Sequence, residues 1–223
     1  MNGRGSIRVW AWAGLVAQIA FVVSWIIAGF WQGSRYSALS QTISDMYAVT
    51  APRGMFLVVV ITMCGVATVL FALLALRPAL RASGWVGILG CALLALSIYG
   101  LGDALTPFER EACRIADEGC TAADQLANAG GTLDAVLSTI GIFLFIGAAF
   151  VLAEAMKRTP GWQRWAWPAR GVGIGFIVVL GALIATEDSL GGLMERLLAA
   201  LGATAIAAVA AHTLRLVGSP VSG

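Results

Sequence analysis

Residues 54–76 read GMFLVVVITMCGVATVLFALLAL, a run that contains no charged residue and no proline. A helix needs about 20 consecutive apolar residues to cross the hydrocarbon core of a bilayer. This run is long enough, and it therefore predicts a membrane-spanning helix.

The composition of the whole chain agrees with this prediction. Of its 223 residues, 59% are hydrophobic and only 12% are charged, and the mean hydropathy is +0.87. A soluble domain carries about 25% charged residues, so this class is excluded. Collagen, coiled-coil arrays, disordered tails and secreted disulfide scaffolds each need a compositional bias that the chain lacks.

Six apolar runs of near-bilayer length follow one another along the chain. All six prolines lie between these runs or at their edges. We therefore predict an all-α fold, a polytopic membrane helix bundle in which residues 1–223 form a single domain of six transmembrane helices. The predicted spans are Val9–Trp31, Gly54–Leu76, Gly84–Leu101, Gly131–Ala155, Pro168–Thr186 and Gly191–Leu216.

The fourth span is predicted to start earlier than its apolar part. Thr121 and Asp124 have the spacing of a capping box, in which each side chain bonds to the backbone of the other. Gly130 and Gly131 would then mark a kink within one long helix.

The distribution of charges predicts the orientation of the bundle. Six spans put both termini, the second-to-third loop and the fourth-to-fifth loop on one side, with nine of the 14 basic residues and one acid, Glu154. The other side receives eleven of the 12 acids. Short loops rich in Arg and Lys stay in the cytoplasm, so we expect both termini to be cytoplasmic.

The four cysteines form two classes. Cys64 and Cys91 lie within apolar runs and are predicted to be packing residues. Cys113 and Cys120 flank a turn in the loop expected to face an oxidising compartment, and we predict a disulfide between them. We predict no metal site and no cofactor, because zinc prefers four ligands and the one histidine, His212, is expected at the opposite face.

Ionisable residues lie at or just inside the outer ends of the helices, where charges usually face a bundle interior or a wet cavity. If they converge, Asp103, Asp134 and Glu195 make an acidic pocket that is open to the outside, with Arg53 and Arg196 as counter-charges. The alternative is that each residue extends to nearby headgroups or orients a helix end.

The first-to-second loop contains Leu39, Ile43, Met46 and Tyr47 at helical spacing. This pattern predicts a short interfacial helix whose polar face carries Ser40, Ser44 and Asp45. The helix would act either as a lid or as a simple amphipathic anchor.

Three short motifs carry a resemblance to a known family. They are Ser40-Gln-Thr-Ile-Ser-Asp45, Gly102-Asp103 with Pro107, and Gly191-Gly-Leu-Met-Glu-Arg-Leu197. In their order and their placement on six helices, they resemble the bacterial integral-membrane family catalogued as domain of unknown function 998.

The resemblance implies the six-helix fold and an outer polar cluster that includes Ser44, Asp45, Asp103 and Arg196. It implies no established activity. Family members often carry a histidine early in helix four, whereas this chain has Asp134 in that neighbourhood, which puts imidazole chemistry in doubt here.

Three classes of function fit these features. The first is a protein that binds a lipid or other small amphiphile through Ser44, Asp45, Arg53, Asp103, Asp134, Glu195 and Arg196. The second is a membrane hydrolase or cyclase that acts on a lipid or isoprenoid with Asp103, Asp134 and Glu195 as acid and base. The third is a small transporter, which the absence of a proline inside any span argues against.

The expected location is the bacterial cytoplasmic membrane, and the expected partners are membrane lipids and an amphiphilic ligand. Nucleic acid is not expected, since each cytoplasmic loop carries few basic residues and anionic lipid accounts for them. The sequence does not indicate the oligomeric state.

The six-span topology can be tested by cysteine labelling. Arg77→Cys and Lys157→Cys are expected to react with a membrane-impermeant thiol reagent from the cytoplasmic side only, because both residues lie in cytoplasmic loops. Labelling of the two positions from opposite sides would contradict the topology.

Overall fold

The computed structural model describes residues 3–218, and in that range the chain forms helices and connecting loops without any strand. The long helices are α1 (Gly3–Gly29), α2 (Gly54–Phe71), α3 (Trp85–Leu96), α4 (Ala129–Lys157), α5 (Ala166–Ala185) and α6 (Glu187–Gly218). The shorter helical segments are Ser44–Tyr47, Ala72–Leu76, Arg77–Ala79, Arg81–Ser83, Ile98–Gly102, Asp103–Leu105, Thr106–Phe108, Ala122–Gln125 and Gln163–Trp165.

Five helical stretches of the described chain are long and apolar enough to cross a membrane: Gly5–Gly29, Gly54–Ala79, Ala129–Lys157, Gln163–Ala185 and Ser189–Gly218. A sixth crossing results if Trp85–Leu96 and Ile98–Phe108 are counted as one bent span. The predicted fold class, an all-α membrane helix bundle, is confirmed. Which side the termini face stays a prediction.

The helices form a ring in which neighbours in the chain are neighbours in space. Helix α1 packs against α2 and α6, α4 packs against α3 and α5, and α5 packs against α6. The side between α2 and α3 is filled by the segment that follows α3. Large apolar side chains on the outside, such as Phe30 and Ile184, remain exposed, as expected of surfaces that contact lipid.

The third span differs from its prediction, because α3 is broken at Ser97. The backbone of Ser97 is extended, and the helix resumes as Ile98–Gly102 at an angle of 43° to α3. The amide groups of Gly100 and Gly102 both donate to the carbonyl oxygen of Ser97. These bonds matter because an unpaired backbone group is costly within a membrane.

Two glycines let the segment after the break enter the bundle. A Cβ atom on Gly65 of α2 would lie 2.3 Å from the backbone nitrogen of Ala104. A Cβ atom on Gly141 of α4 would lie 2.7 Å from the backbone nitrogen of Ile98. The segment is therefore held between α2 and α4 by backbone contacts that only glycine permits.

The prediction of one long fourth helix is wrong. The capping box of Thr121 and Asp124 is present, but it starts a separate short helix that ends at Gln125. Helix α4 begins at Ala129, where the side chain of Asn128 accepts a hydrogen bond from the amide of Gly131 at 2.7 Å. Gly130 is therefore not a kink, and it gives room to the carbonyl oxygen of Arg110.

The predicted interfacial helix is also absent, since only Ser44–Tyr47 is helical and that segment is a single 3₁₀ turn. Ile43, Met46 and Tyr47 pack into the bundle instead of facing lipid, and Asp45 is buried with them. Three of the four apolar residues of the pattern are therefore buried, whereas Leu39 is 54% exposed.

The interior of the bundle near the α4–α5 connection is apolar. A cavity of about 240 Å³ lies between α3, α4, α5 and α6, with Leu94, Leu152, Val172 and Val209 among its walls. At this end, the ring of His212 packs against the rings of Trp162 and Trp165. This contact joins α6 to the α4–α5 connection.

The glycine contact at α2 gives a test of the broken third span. Gly65→Ala is expected to lower the free energy of unfolding by about 1–3 kcal/mol, because the new methyl group would overlap the backbone of residues 103 and 104. Gly181→Ala in α5 is the control, since nothing lies within 4 Å of its added Cβ. Equal thermal unfolding midpoints of the two variants in detergent would contradict the contact.

Candidate functional site

The loop between α1 and α2 is docked onto the start of α6. The amide of Leu193 donates to the carbonyl oxygen of Leu39 at 2.9 Å, and a Cβ atom on Gly192 would overlap the backbone of Gln41. The amide of Ile43 donates to Oε2 of Glu195 at 2.8 Å. The loop therefore forms a fixed roof over one end of the bundle, which we call the outer end after the predicted orientation.

Arg196 holds this roof in place. Its Nη1 donates to the carbonyl oxygens of Ala38, Gln41 and Gly192 at 2.7–2.9 Å. Its Nη2 donates to the hydroxyl of Tyr36, and the guanidinium lies over the ring of Trp25. A guanidinium with these partners is a clamp for the loop backbone.

Asp45 joins the same roof to the loop between α3 and α4. Its side chain is 1% exposed, and its Oδ1 accepts hydrogen bonds from the amide of Ile115 at 2.9 Å and from Nε2 of Gln125 at 3.0 Å. Burial raises its pKa, although the hydrogen bonds from Ile115 and Thr42 act in the opposite direction. With these partners, Asp45 joins the two loops.

The α3–α4 loop closes the outer end from the other side. The predicted disulfide between Cys113 and Cys120 is present, and within this loop Arg114 pairs with Asp117 at 2.6 Å. Arg110 donates to the carbonyl oxygens of Tyr47 and Ala48, both at 2.9 Å. Two loops distant in sequence therefore form one structure above the helices.

Beneath this roof is a cavity of about 420 Å³, within the range of roughly 300–1,000 Å³ for ligand pockets. Hydroxyl, phenol and carboxyl groups line it together with aliphatic and aromatic side chains. The lining residues are Phe21, Thr42, Ile43, Ser44, Tyr47, Ile61, Ile98, Tyr99, Gly102, Asp103, Thr106, Glu109, Glu111, Asp134, Ala135, Ser138, Thr139, Ile142, Phe176, Leu183, Glu195, Leu198 and Ala199.

Five carboxyl groups line this cavity, and they differ in how they are bonded. Glu111 accepts from Ser44 at 3.0 Å and from Gln125 at 2.8 Å, and Asp134 accepts from the hydroxyl of Tyr47 at 3.2 Å. Glu195 accepts from the Ile43 amide, as described above.

The other two carboxyl groups are Asp103 and Glu109. Glu109 is 5% exposed, and its Oε1 is buried without a hydrogen-bond partner. The carboxyl group of Asp103 accepts no side-chain or backbone hydrogen bond within residues 3–218. Asp103 therefore lines the cavity with unused acceptor oxygens, and Oε1 of Glu109 lacks a donor.

The electrostatics of the cavity follow from burial and from like charges. Burial, together with the nearby carboxyl group of Asp134, raises the pKa of Glu109 from 4.5 to about 8. The pKa of Glu111 is raised to about 8 by burial and by Asp134 and Asp45. Burial also holds the pKa of Tyr47 well above its usual value of 10.0. No Arg or Lys stands among the lining residues given above.

The structure brings together only part of the predicted site. Ser44, Asp103, Asp134 and Glu195 line the one cavity, whereas Asp45 lies behind its wall in the loop contacts described above. The predicted counter-charges do not line it: Arg196 clamps the roof, and Arg53 lies over the ring of Trp31 at the start of α2. A ligand-binding role for these residues stays a prediction.

Sequence reasoning missed several lining residues. Glu109 and Glu111 lie in a loop, where acidic side chains are ordinarily solvated. The sequence signal for their role was the alternation of acid and base in Glu109-Arg110-Glu111. Tyr99 lies in an apolar run, and its hydroxyl was the only sequence sign of a polar contact there. In the structure, this hydroxyl donates a hydrogen bond to the carbonyl oxygen of Leu198 at 2.7 Å.

Comparison with known proteins gave one match. The model of a family described as "Protein of unknown function (DUF998)" matches residues 15–212. This range contains every residue that lines the cavity. Neither the curated proteins nor the solved structures gave a match.

The raised pKa values of Glu109 and Glu111 predict that stability depends on pH. Between about pH 4.5 and pH 8, the folded protein keeps protons that the unfolded chain has released, so the free energy of unfolding falls as pH rises. Thermal unfolding across this range should show the fall, and Glu109→Gln should reduce its slope. Glu118→Gln, on an exposed side chain, is the control, and identical slopes for Glu109→Gln and the wild type would contradict the assignment.

Proposed function

Since this chain belongs to the DUF998 family of proteins of unknown function, we propose a function from its own geometry: it binds an amphiphile in the cavity beneath the two outer loops. The observation that carries the proposal is the mixed lining of the cavity wall. The lining combines five carboxyl groups, among them Glu109 with its unpaired Oε1, with a large number of apolar side chains.

The polar side chains of the wall suit the head of such a molecule. The carboxyl group of Asp103 has unused acceptor oxygens. The buried Oε1 of Glu109 lacks a partner, which costs about 1–3 kcal/mol. A ligand that donates hydrogen bonds to them removes this cost. Thr42 and Ser44 add hydroxyl groups to the same wall.

The apolar side chains suit a hydrocarbon chain or ring. Ile61, Ile98, Ile142, Leu183 and Leu198 come from five different parts of the bundle and line the same cavity. Burial of apolar surface contributes about 25 cal/mol per Å². A small polar solute would leave this wall unsatisfied, which favours an amphiphile over a sugar or an inorganic ion.

A membrane hydrolase or cyclase is the second candidate. Glu109 and Glu111 carry protons at neutral pH according to their raised pKa values, and a protonated carboxyl group can act as a general acid. An enzyme of this kind would lose turnover in Asp134→Asn or Glu195→Gln while staying folded in detergent.

The third candidate is a transporter. The break at Ser97 fits this candidate, because transporters often contain broken helices. The broken segment, however, packs against α2 and α4. On the inner side, the rings of Tyr99, Phe145 and Phe176 touch one another at centroid distances of 4.6–6.4 Å. A polar solute would have to pass these rings and then an apolar cavity, which disfavours transport.

The proposal is tested by identifying what stays bound. Native mass spectrometry of the protein, purified in an uncharged detergent, should show an amphiphile of defined mass. Ser138→Phe, which fills the cavity from α4, should abolish this species, because Ser138 lines the wall. Ile184→Phe is the matched control, since Ile184 is 71% exposed on the outside of α5.

Equal occupancy in Ser138→Phe and Ile184→Phe would contradict binding in this cavity. Thermal unfolding of both variants provides the folding control. A mixed set of annular lipids that is unchanged by Ser138→Phe would count against the proposal in the same way.

A further inference from the structure

The outer face carries arginines, and each of them is engaged away from the cavity. Arg110 bonds to the carbonyl oxygens of the first loop, Arg114 pairs with Asp117, and Arg196 clamps the roof. Arg35 pairs with Glu118, and Arg53 lies over Trp31. The carboxyl groups of the cavity therefore lack a positive partner from the lining residues.

The carboxyl groups are spread around the cavity rather than gathered at one point. Within residues 3–218, no three of the Asp, Glu, His and Cys side chains lie close enough together to hold a metal ion. The same carboxyl groups nevertheless share a cavity of about 420 Å³. This arrangement suits a cation larger than a metal ion.

Aromatic rings line the same cavity. Tyr99 lies between Phe21 and Phe176, with ring centroids 6.1 Å and 6.4 Å away and both contacts edge-to-face. All three residues line the cavity. The faces of aromatic rings attract ammonium groups.

Glu109 provides an independent sign of a missing partner. Glu109 is 95% buried and lines the cavity, and its Oε1 has no hydrogen-bond partner. A buried acceptor without a donor is rare in a folded protein. A donor brought by a ligand would satisfy it.

We propose that the head of the bound amphiphile is an organic cation with N–H donors, an ammonium group, held between the carboxyl groups of the cavity and its aromatic rings. This inference rests on the proposed function and names its ligand class. A phosphate or carboxylate head should bind weakly. It would face the five carboxyl groups of the cavity, and no positive residue is among the lining residues: Asp103, Glu109, Glu111, Asp134 and Glu195 are the charged groups there.

Binding of a cation would be coupled to proton release. The groups that face Glu109 and Glu111 are acidic or phenolic, namely Asp45, Tyr47, Asp103, Asp134 and Glu195, and Arg110 lies next to both in the chain. A cation favours the ionised form of these carboxyl groups. Because the pKa of Glu109 and of Glu111 is about 8 without a ligand, affinity for the cation should rise with pH up to about pH 8.

The test uses three probes with the same dodecyl chain: dodecylammonium, dodecylglycerol and dodecyl phosphate. Each is titrated into the full-length protein in an uncharged detergent, and binding is measured by isothermal calorimetry. The ammonium probe should bind at least about tenfold more tightly than the diol, and the phosphate should bind most weakly. Between about pH 6 and pH 8, the ammonium affinity should rise several-fold while the diol affinity stays constant.

Variants separate the charge of the head from the fold. Glu109→Gln and Asp103→Asn should each weaken the ammonium probe about tenfold, as expected for the loss of a charged partner. Both should weaken the diol much less, because the amide oxygens of Gln and Asn still accept hydrogen bonds, and thermal unfolding midpoints show that both variants are folded. Glu118→Gln, on the exposed surface, should alter neither.

The outcomes distinguish the two proposals. If the diol binds as tightly as the ammonium probe, or the phosphate binds best, the inference about the head is overturned while amphiphile binding stands. If none of the three probes binds, and Ser138→Phe retains the same lipids as the wild type, both proposals fall.

Discussion

The outer half of this protein depends on the break at Ser97, where the third span leaves its helical path and enters the bundle. The break can exist in a membrane because the amides that follow it bond to the carbonyl oxygen of Ser97. It can be packed because Gly65 and Gly141 let two helix backbones approach it closely. The segment after the break then carries Tyr99, Asp103 and Thr106 to the cavity, positions that a straight helix would not reach in the same way.

The charged residues of the outer face have two different roles. Arginines such as Arg110 and Arg196 bond to loop carbonyl groups, and Asp45 accepts amide hydrogen bonds between the two loops. These residues build the roof. Asp103 and Glu109 take no part in it, and their free oxygens give the cavity its chemical character. The contrast between engaged cations and free acids is the basis for proposing an amphiphile, and then a cationic head.

Much of the fold could be predicted from the sequence, because a bilayer imposes the length and composition of each crossing. The disulfide between Cys113 and Cys120 was predictable for a related reason, their short spacing in a polar loop. The break at Ser97 was not, since the run from Gly84 to Leu101 is apolar throughout and contains no proline. The burial of the first loop was missed because apolar residues at helical spacing fit an interfacial helix and a buried turn equally well.

The sequence by itself determined that this chain is a bundle of membrane helices with its acids concentrated at one end. That conclusion needs only residue types and their order, since lipid acts on each span separately. Only the tertiary structure decided which acids share a cavity. Ser44, Asp103, Glu109, Asp134 and Glu195 meet there because two loops and three helices pack together, while Arg53 and Arg196 are taken up by other contacts. Such groupings depend on contacts between residues far apart in the chain, and no local pattern encodes them.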